Sequence, residues 1–358
     1  MSESLARFQD RRYVRTVVRE IRRLSDGRRI RIVHVCGTHE DTISSSGLRS
    51  LLPDNISLIA GPGCPVCVCA AKDIDVAVEL ARQGKLIVTF GDMIQVPSSD
   101  SSLAKERAAG ADVRVVYGAN DAVRIARDNP NRDVVFMCAG FETTAPTVAA
   151  EVVRGPPQNF SVLTSLKVIP PAMEMLVDIE DVHVDGFITP GHVSAVIGAR
   201  AFQPIAEKKR VPCVVAGFEP LDVLEAVRMI LKQMCEGRAE SEIEYSRVVS
   251  WDGNINAQRM IDRAFIPEDA VWRGIGVIPR SGLALRPEFC DHDARKLFEV
   301  EHRESVDILP GCICHRVVLG MADPTECPLF GKRCTPEDPY GPCMVGQEGT
   351  CRIRHIYL

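Results

Sequence analysis

Short apolar runs alternate with longer amphipathic stretches along the chain, and nearly every apolar run ends in a loop signal. RIRIVHV leads into CGTHE, ISLIA into GPGCP, KLIVTF into GDM and DVVFMCA into GFETTAP, with VRVVYG before the last. Between them lie helix-like segments such as AKDIDVAVELARQG, whose apolar residues recur at helical spacing. A second series starts near Phe160, where SVLTSLKV, VDGFIT and VPCVVA lead into IPPAM, PGHVS and GFEPLD. Strands alternating with helices predict an α/β fold with mostly parallel sheets. CAGFETTAP and VAGFEPLD share a strand, a Gly-Phe-Glu and a helix start, the pattern of two related halves.

The ends of the chain read differently. Residues 5 to 24 place Leu5, Phe8, Val14, Val17, Val18, Ile21 and Leu24 among many arginines, which predicts an amphipathic helix docked by its apolar stripe. After Glu236 the texture becomes irregular. The tail GKRCTPEDPYGPCMVGQEGTC has too little apolar content to fold without a covalent or metal staple. The expected organisation is an N-terminal helix over 1–28, α/β domains over 29–155 and 156–238, and a C-terminal domain over 239–358.

Composition narrows the class. The 358 residues suffice for two or three cored domains, and 46% hydrophobic with 25% charged content is ordinary for a soluble globular protein. A formal net charge of -5 gives no global pull toward nucleic acid or anionic lipid. No apolar run approaches the roughly 18 residues of a membrane span. MSESLARFQDRRYVR lacks a secretory apolar core, so a cytoplasmic location is expected. No G-x-G-x-x-G follows the first strand and no P-loop is present, which argues against a standard dinucleotide or nucleotide-hydrolysis site.

The 14 cysteines carry the candidate chemistry. In a reducing compartment, clustered cysteines read as metal or redox sites. Cys138, Cys213, Cys235 and Cys290 are scattered and read as plain core or surface residues. Cys36 ends a strand before Gly37-Thr38-His39-Glu40, where helix-start amides or a histidinium would favour its thiolate. Cys64-Pro65-Val66-Cys67 is a CxxC, able to close a disulfide or to give two thiolates to one metal; its spacing does not choose between them. Cys69 lies outside that pair. Cys312, Cys327, Cys334 and Cys351 are spread through a Pro/Gly-rich segment, which suits an iron–sulfur cluster; a four-cysteine zinc site is the rival. Cys314 and Cys343 remain as a possible second redox pair. In open α/β sheets ligands bind beyond the carboxyl ends of strands, and every unusual motif here falls at such an end.

Cys36–Glu40, Gly61–Cys67, Gly140–Thr144, Pro190–Ser194 and the tail CTPEDPYGPCMVGQEGTC closely resemble the hydrogenase maturation family HypD, in order from about residue 30 to residue 351. The resemblance implies two Rossmann-like α/β domains with parallel sheets facing a cleft, and a third, irregular α+β domain carrying a [4Fe-4S] cluster. It implies a scaffold that works with the partner HypC to assemble the Fe(CN)2CO unit of [NiFe]-hydrogenases. HypE, loaded by HypF, supplies the cyanide, and the hydrogenase large subunit receives the product. Carried over, Cys36 resembles the ligand of the scaffold iron, and Cys64 and Cys67 the redox pair of the cleft. Cys312, Cys327, Cys334 and Cys351 resemble the cluster ligands, and Cys314 and Cys343 a second thiol pair. His39, Glu40, Glu142, Thr143 and His192 fall in motifs around the cleft, where His, Thr and backbone N–H groups suit hydrogen bonding to cyanide. Asp41-Thr42, His315 after Cys314, and Leu166-Lys167 depart from the family's usual residues. The rival function is a stand-alone iron–sulfur thiol–disulfide oxidoreductase, which has no need of CGTHE.

Overall fold

The computed structural model describes residues 11–300 and 304–358; eight of its strands fall where the apolar runs predict them, and the strands pair in an order the runs do not reveal. They are β1 (Ile30–His34), β2 (Ile56–Ala60), β3 (Leu86–Phe90), β4 (Val113–Val116), β5 (Val134–Gly140), β6 (Phe160–Leu166), β7 (Gly186–Pro190), β8 (Cys213–Ala216), β9 (Ser241–Ile243), β10 (Phe265–Trp272) and β11 (Gly276–Leu285). One sheet has the order β2-β1-β7-β8-β9 and another β4-β3-β5-β6. Every pairing in both is parallel. β5, β6, β7 and β8 are buried along their whole length, as parallel strands covered by helices on both faces must be.

This corrects the expected domain boundaries. The unit β3–β6 is contiguous in sequence and sits as an insertion between β2 and β7. The first sheet is therefore discontinuous: His34 of β1 pairs with Ile188 of β7, far along the chain. A boundary at 155/156 separates β5 from its partner β6, and β1 from β7. A boundary at 238/239 cuts β9 from β8. The apolar runs assign strands to their nearest neighbours along the chain, whereas parallel pairing needs long crossovers and carries no local signal.

The remaining elements cover the sheets. Within the N-terminal stripe, Val17 and Ile21 are buried where the helix Arg11–Ser25 packs on the helix Pro220–Glu236, and Tyr13 donates to Glu225 at 2.6 Å. Leu5 and Phe8 lie outside the described residues. The antiparallel hairpin β10–β11 continues past the β6 edge, with Lys167 bridging Gly282 and Thr164 donating to the Leu283 carbonyl at 2.9 Å. One apolar core joins Val33 and Val35 of the first unit to Ile87 and Val135 of the second and to Val317, Val318 and Met344 of the tail. Cys138 and Cys213 are buried in strands and Cys235 and Cys290 are exposed, away from the clustered thiols. No helix among the described residues is long and apolar enough to cross a membrane.

The interleaving has a direct test. A fragment ending at residue 155 leaves β1 without β7 and β5 without β6, so residues 29–155 alone should show no cooperative thermal transition by circular dichroism. A native-like melt of that fragment would contradict the pairing.

Candidate functional site

Parallel sheets open a crevice where strand order reverses, beyond the carboxyl ends. In the first sheet that reversal lies between β1 and β7, whose ends carry Cys36 and His192. In the second it lies between β3 and β5, whose ends carry Asp92 and Glu142. The expected convergence of motifs therefore follows from topology.

Two glycines close the distance. A Cβ on Gly63 would collide with the Cys36 amide and the Val35 carbonyl carbon, so the GPGC loop lies backbone against backbone on the end of β1. A Cβ on Gly37 would collide with Glu348, and Thr38 Oγ1 donates to Glu348 Oε1 at 3.3 Å. Gly346 sits near Val66 and Asp92. The tail thus threads between the two crevices.

Cys64 and Cys67 form a disulfide, with Cα atoms 5.3 Å apart, across the helical turn Pro65–Val68. Pro65 supplies the fixed φ of a first helical position, and Cys64 Sγ accepts the Cys67 amide at 3.1 Å. That turn packs against β5 on one side and against the turn Pro342–Met344, which carries Cys343, on the other. Cys69 is buried against Ser165 Oγ at 3.3 Å, off the disulfide.

Cys36 precedes the helix Gly37–Ser45 and is nearly buried. Burial first, and Glu348 second, push its thiol up to about 11 despite hydrogen bonds at the helix start. The expected thiolate is therefore not the form of the metal-free chain. Nor is there a histidinium beside it. Burial pushes His39 down to about 3, so the ring is neutral. Its Nε2–H is spent on the Gly217 carbonyl at 2.9 Å, which leaves Nδ1 a buried acceptor without a partner. His39 is thus no hydrogen-bond donor to a ligand, contrary to expectation. The exposed ring of His192 stacks on Phe218 at 4.1 Å between centroids, and His39 lies 5.1 Å from the same ring. Phe218, the centre of the second Gly-Phe-Glu, joins CGTHE to PGHVS.

Glu40 anchors the helix. Fully buried, it accepts His34 Nε2 at 2.9 Å, Arg49 at 2.7 and 3.0 Å and Ser44 at 2.7 Å. Burial alone would raise its carboxyl, but His34 and Arg49 hold it at about 2. Glu142 differs. Its Oε1 accepts the Ile169 amide at 2.9 Å, Oε2 is buried without a partner, and burial pushes it up to about 7. Thr143 beside it is exposed.

All six tail cysteines, Cys312, Cys314, Cys327, Cys334, Cys343 and Cys351, line one recess whose other walls include Leu329, Phe330 and Met344. A hydrogen bond from Cys314 holds Cys312 down to about 7, and Cys351 is hydrogen-bonded to Cys343. Burial raises the Cys334 thiol, while the amides of Gly341 and Tyr340 donate to its sulfur. Cys314 and Cys343 share this recess with the four expected ligands, and each is hydrogen-bonded to one of them, Cys312 and Cys351 respectively. No three His, Cys, Asp or Glu side chains among the described residues converge on a single-ion site. An all-thiol, apolar recess with N–H donors to sulfur fits an iron–sulfur cluster.

The HypD family model, described as the hydrogenase formation hypA family, matches residues 12–358. The chain is similar to the hydrogenase maturation factor HypD2 of Bradyrhizobium diazoefficiens, at 42% identity over 98% of this chain and 95% of that one. It is similar to the hydrogenase maturation factors HypD of Azotobacter vinelandii (41%; 98% and 95%) and Rhizobium leguminosarum (42%; 98% and 94%).

Two substitutions separate the carboxylates. Glu40→Ala leaves buried His34 without its partner and should cost about 2–4 kcal/mol, discounted for the half-exposed Arg49 and read by urea denaturation. Glu142 has its folded value raised, so its contribution is full below about 4.5, declines as pH rises toward about 7 and is flat above. Glu142→Gln should abolish that slope and stabilise the chain at pH 8 by roughly 2–3 kcal/mol. An unchanged slope would remove Glu142 as its source.

Proposed function

Since the chain belongs to the HypD family, we propose that it is a [NiFe]-hydrogenase maturation factor, the scaffold on which, with HypC, the Fe(CN)2CO unit is assembled in the cytoplasm. The observation that carries the reading is the backbone contact of Gly63 on Cys36, which sets a lone cysteine beside a redox-active CxxC at a sheet crevice. A soft iron with cyanide and carbonyl ligands suits a thiolate.

In this reading Cys36 gives up its proton to hold the substrate iron, shared with a cysteine of HypC. Its burial excludes water from the bond being made. Donors to cyanide are the backbone N–H groups at the start of the helix Gly37–Ser45 and the exposed ring of His192, because His39 has spent its N–H. His39 instead fixes the helix against β8. The Cys64–Cys67 disulfide takes up two electrons and two protons, breaking its S–S bond to give two thiols, and returns them on closing.

Cys312, Cys327, Cys334 and Cys351 would hold a [4Fe-4S] cluster, which when bound supplies one-electron transfer. Cys314 and Cys343 line that same recess and would serve as the second dithiol, Cys343 from the turn that packs on the CxxC turn. The Pro342–Met344 turn, packed on Pro65–Val68, joins the recess to the CxxC turn. HypE, charged by HypF, delivers cyanide, and the completed unit leaves with HypC for the hydrogenase large subunit.

A stand-alone thiol–disulfide oxidoreductase is the second reading, favoured by the formed disulfide. Cys36 discriminates. Infrared spectroscopy of anaerobically purified protein, co-produced with the other maturation proteins, should show cyanide and carbonyl bands that vanish in Cys36→Ala while the melting temperature is retained. Protein bound to HypC that never carries the bands would sink the scaffold reading and favour the oxidoreductase.

A further inference from the structure

The helix Arg11–Ser25 and the turn after it concentrate positive charge in a chain that is acidic on balance. Residues 11–29 hold eight arginines and no lysine against two acids, Glu20 and Asp26, while the formal net charge of the whole chain is -5. Arg15, Arg19, Arg22 and Arg23 recur at helical spacing and are exposed, on the face opposite the buried Val17 and Ile21. They form a stripe about 12 Å long. Arg28 and Arg29 in the following turn are exposed too. None of these six pairs with a carboxylate among the described residues. Glu20 turns instead to Arg228, at 3.4 Å. Arg22 and Arg23 sit in the last turn, where a cation answers the helix dipole, but Arg15 and Arg19 do not. Like charges three and four residues apart repel along the stripe. The helix stands in spite of that repulsion, held by its packing on Pro220–Glu236.

The stripe runs into a recess. The two helices run parallel, since Tyr13 meets Glu225 and the Leu24 carbonyl accepts from Cys235 Sγ at 3.4 Å. Both end where the strands of the first sheet begin. Arg28 lines a recess there with Lys209, Arg210 and Arg238. Asp178 occupies Lys209, and Glu236, Glu240 and Glu242 occupy Arg238. Asp185, also in the lining, is held by the Arg31 amide at 2.7 Å and by His183 at 3.0 Å. Arg210 donates to the Gly237 carbonyl at 3.1 Å and, like Arg28, meets no carboxylate among the described residues.

The shape of the charge selects its complement. A helix that lies in a lipid surface buries an apolar face there, and this helix has spent that face on the body. A nucleic acid carries its charge well beyond the stripe, over a surface acidic on balance. The stretch also exposes no aromatic ring for a base, because Tyr13 is half-buried with its hydroxyl on Glu225. A short run of carboxylates matches both the length of the stripe and the guanidinium fork, which takes a carboxylate through two parallel hydrogen bonds. We propose that the exposed face of Arg11–Ser25, with Arg28 and Arg210 at its end, docks an acidic segment of a partner protein. Nothing in this docking depends on the chemistry at Cys36.

The test uses the full chain and a fluorescently labelled poly-glutamate peptide, followed by anisotropy at low salt. Binding should weaken as salt is added. Arg15→Gln, Arg19→Gln, Arg23→Gln and Arg28→Gln together should weaken it roughly tenfold or more. Arg107→Gln, Arg127→Gln, Arg259→Gln and Arg263→Gln, which remove equal charge from exposed positions elsewhere, should leave it within about twofold of the parent. The stripe variant should melt no lower than the parent, since glutamine suits a helix and the repulsion is gone. A parent chain that does not bind the peptide overturns the proposal, as does an equal loss in both variants. Tighter binding of a DNA or RNA oligonucleotide, or of phosphatidylglycerol vesicles, at the same salt overturns it in favour of that class. A stripe variant that melts far below the parent overturns it too, because the arginines then serve the fold.

Discussion

How closely two backbones can approach decides what this protein can do. Strands end where they end, but a side chain on Gly63 or Gly37 would hold the CxxC loop and the tail away from Cys36. Glycine removes the Cβ at both contacts, and main chain rests on main chain. Three sulfur groups from segments that begin near residues 36, 64 and 312 then share one region. Neither contact requires an attractive force of unusual strength. The steric permission is local, while the energy that presses the segments together comes from the core running through all three.

The polar interior divides into parts that are satisfied and parts that are not. His34, Glu40, Ser44 and Arg49 form a closed set whose charges and hydrogen bonds are matched, and it fixes the helix that starts at Cys36. His39 Nδ1, Glu142 Oε2 and the Arg273 guanidinium are each buried with a polar atom unmatched. Such atoms are costly in a protein interior. Here they lie beyond the ends of β1 and β5 and after β10.

Much of this was legible in the residues. Eight of the parallel strands follow from apolar runs, and strand-end motifs mark both crevices, because burial on two faces forces uninterrupted apolar stretches. Strand order was hidden: β1 and β7 carry nothing that says they pair, and a linear reading divided the chain at 155 where the fold does not. β9 was missed since Ser241–Ile243 is three residues long with a charged centre. The cysteines were found by clustering. The charge state of Cys36 was not, because desolvation depends on what packs above a residue. Arg273 resembles any surface arginine in the sequence; only its burial distinguishes it. Phe218 stood in a recognised motif, yet its place between two histidines needed the fold.

The insertion of β3–β6 also sets a schedule. A ribosome releases the chain from its first residue, at about 5–20 residues per second, and domains fold as they emerge. The β1–β2 pair appears early but must wait for β7 and β8, and two strands alone are barely stable in water. The inserted sheet can close in the meantime. The segment that presses on Gly37, around Glu348, follows all of these strands in the chain. A nascent chain therefore carries reactive thiols long before it has the pocket that isolates Cys36, and metal captured during synthesis would meet an open site. Whatever chemistry needs a closed Cys36 waits for the finished molecule.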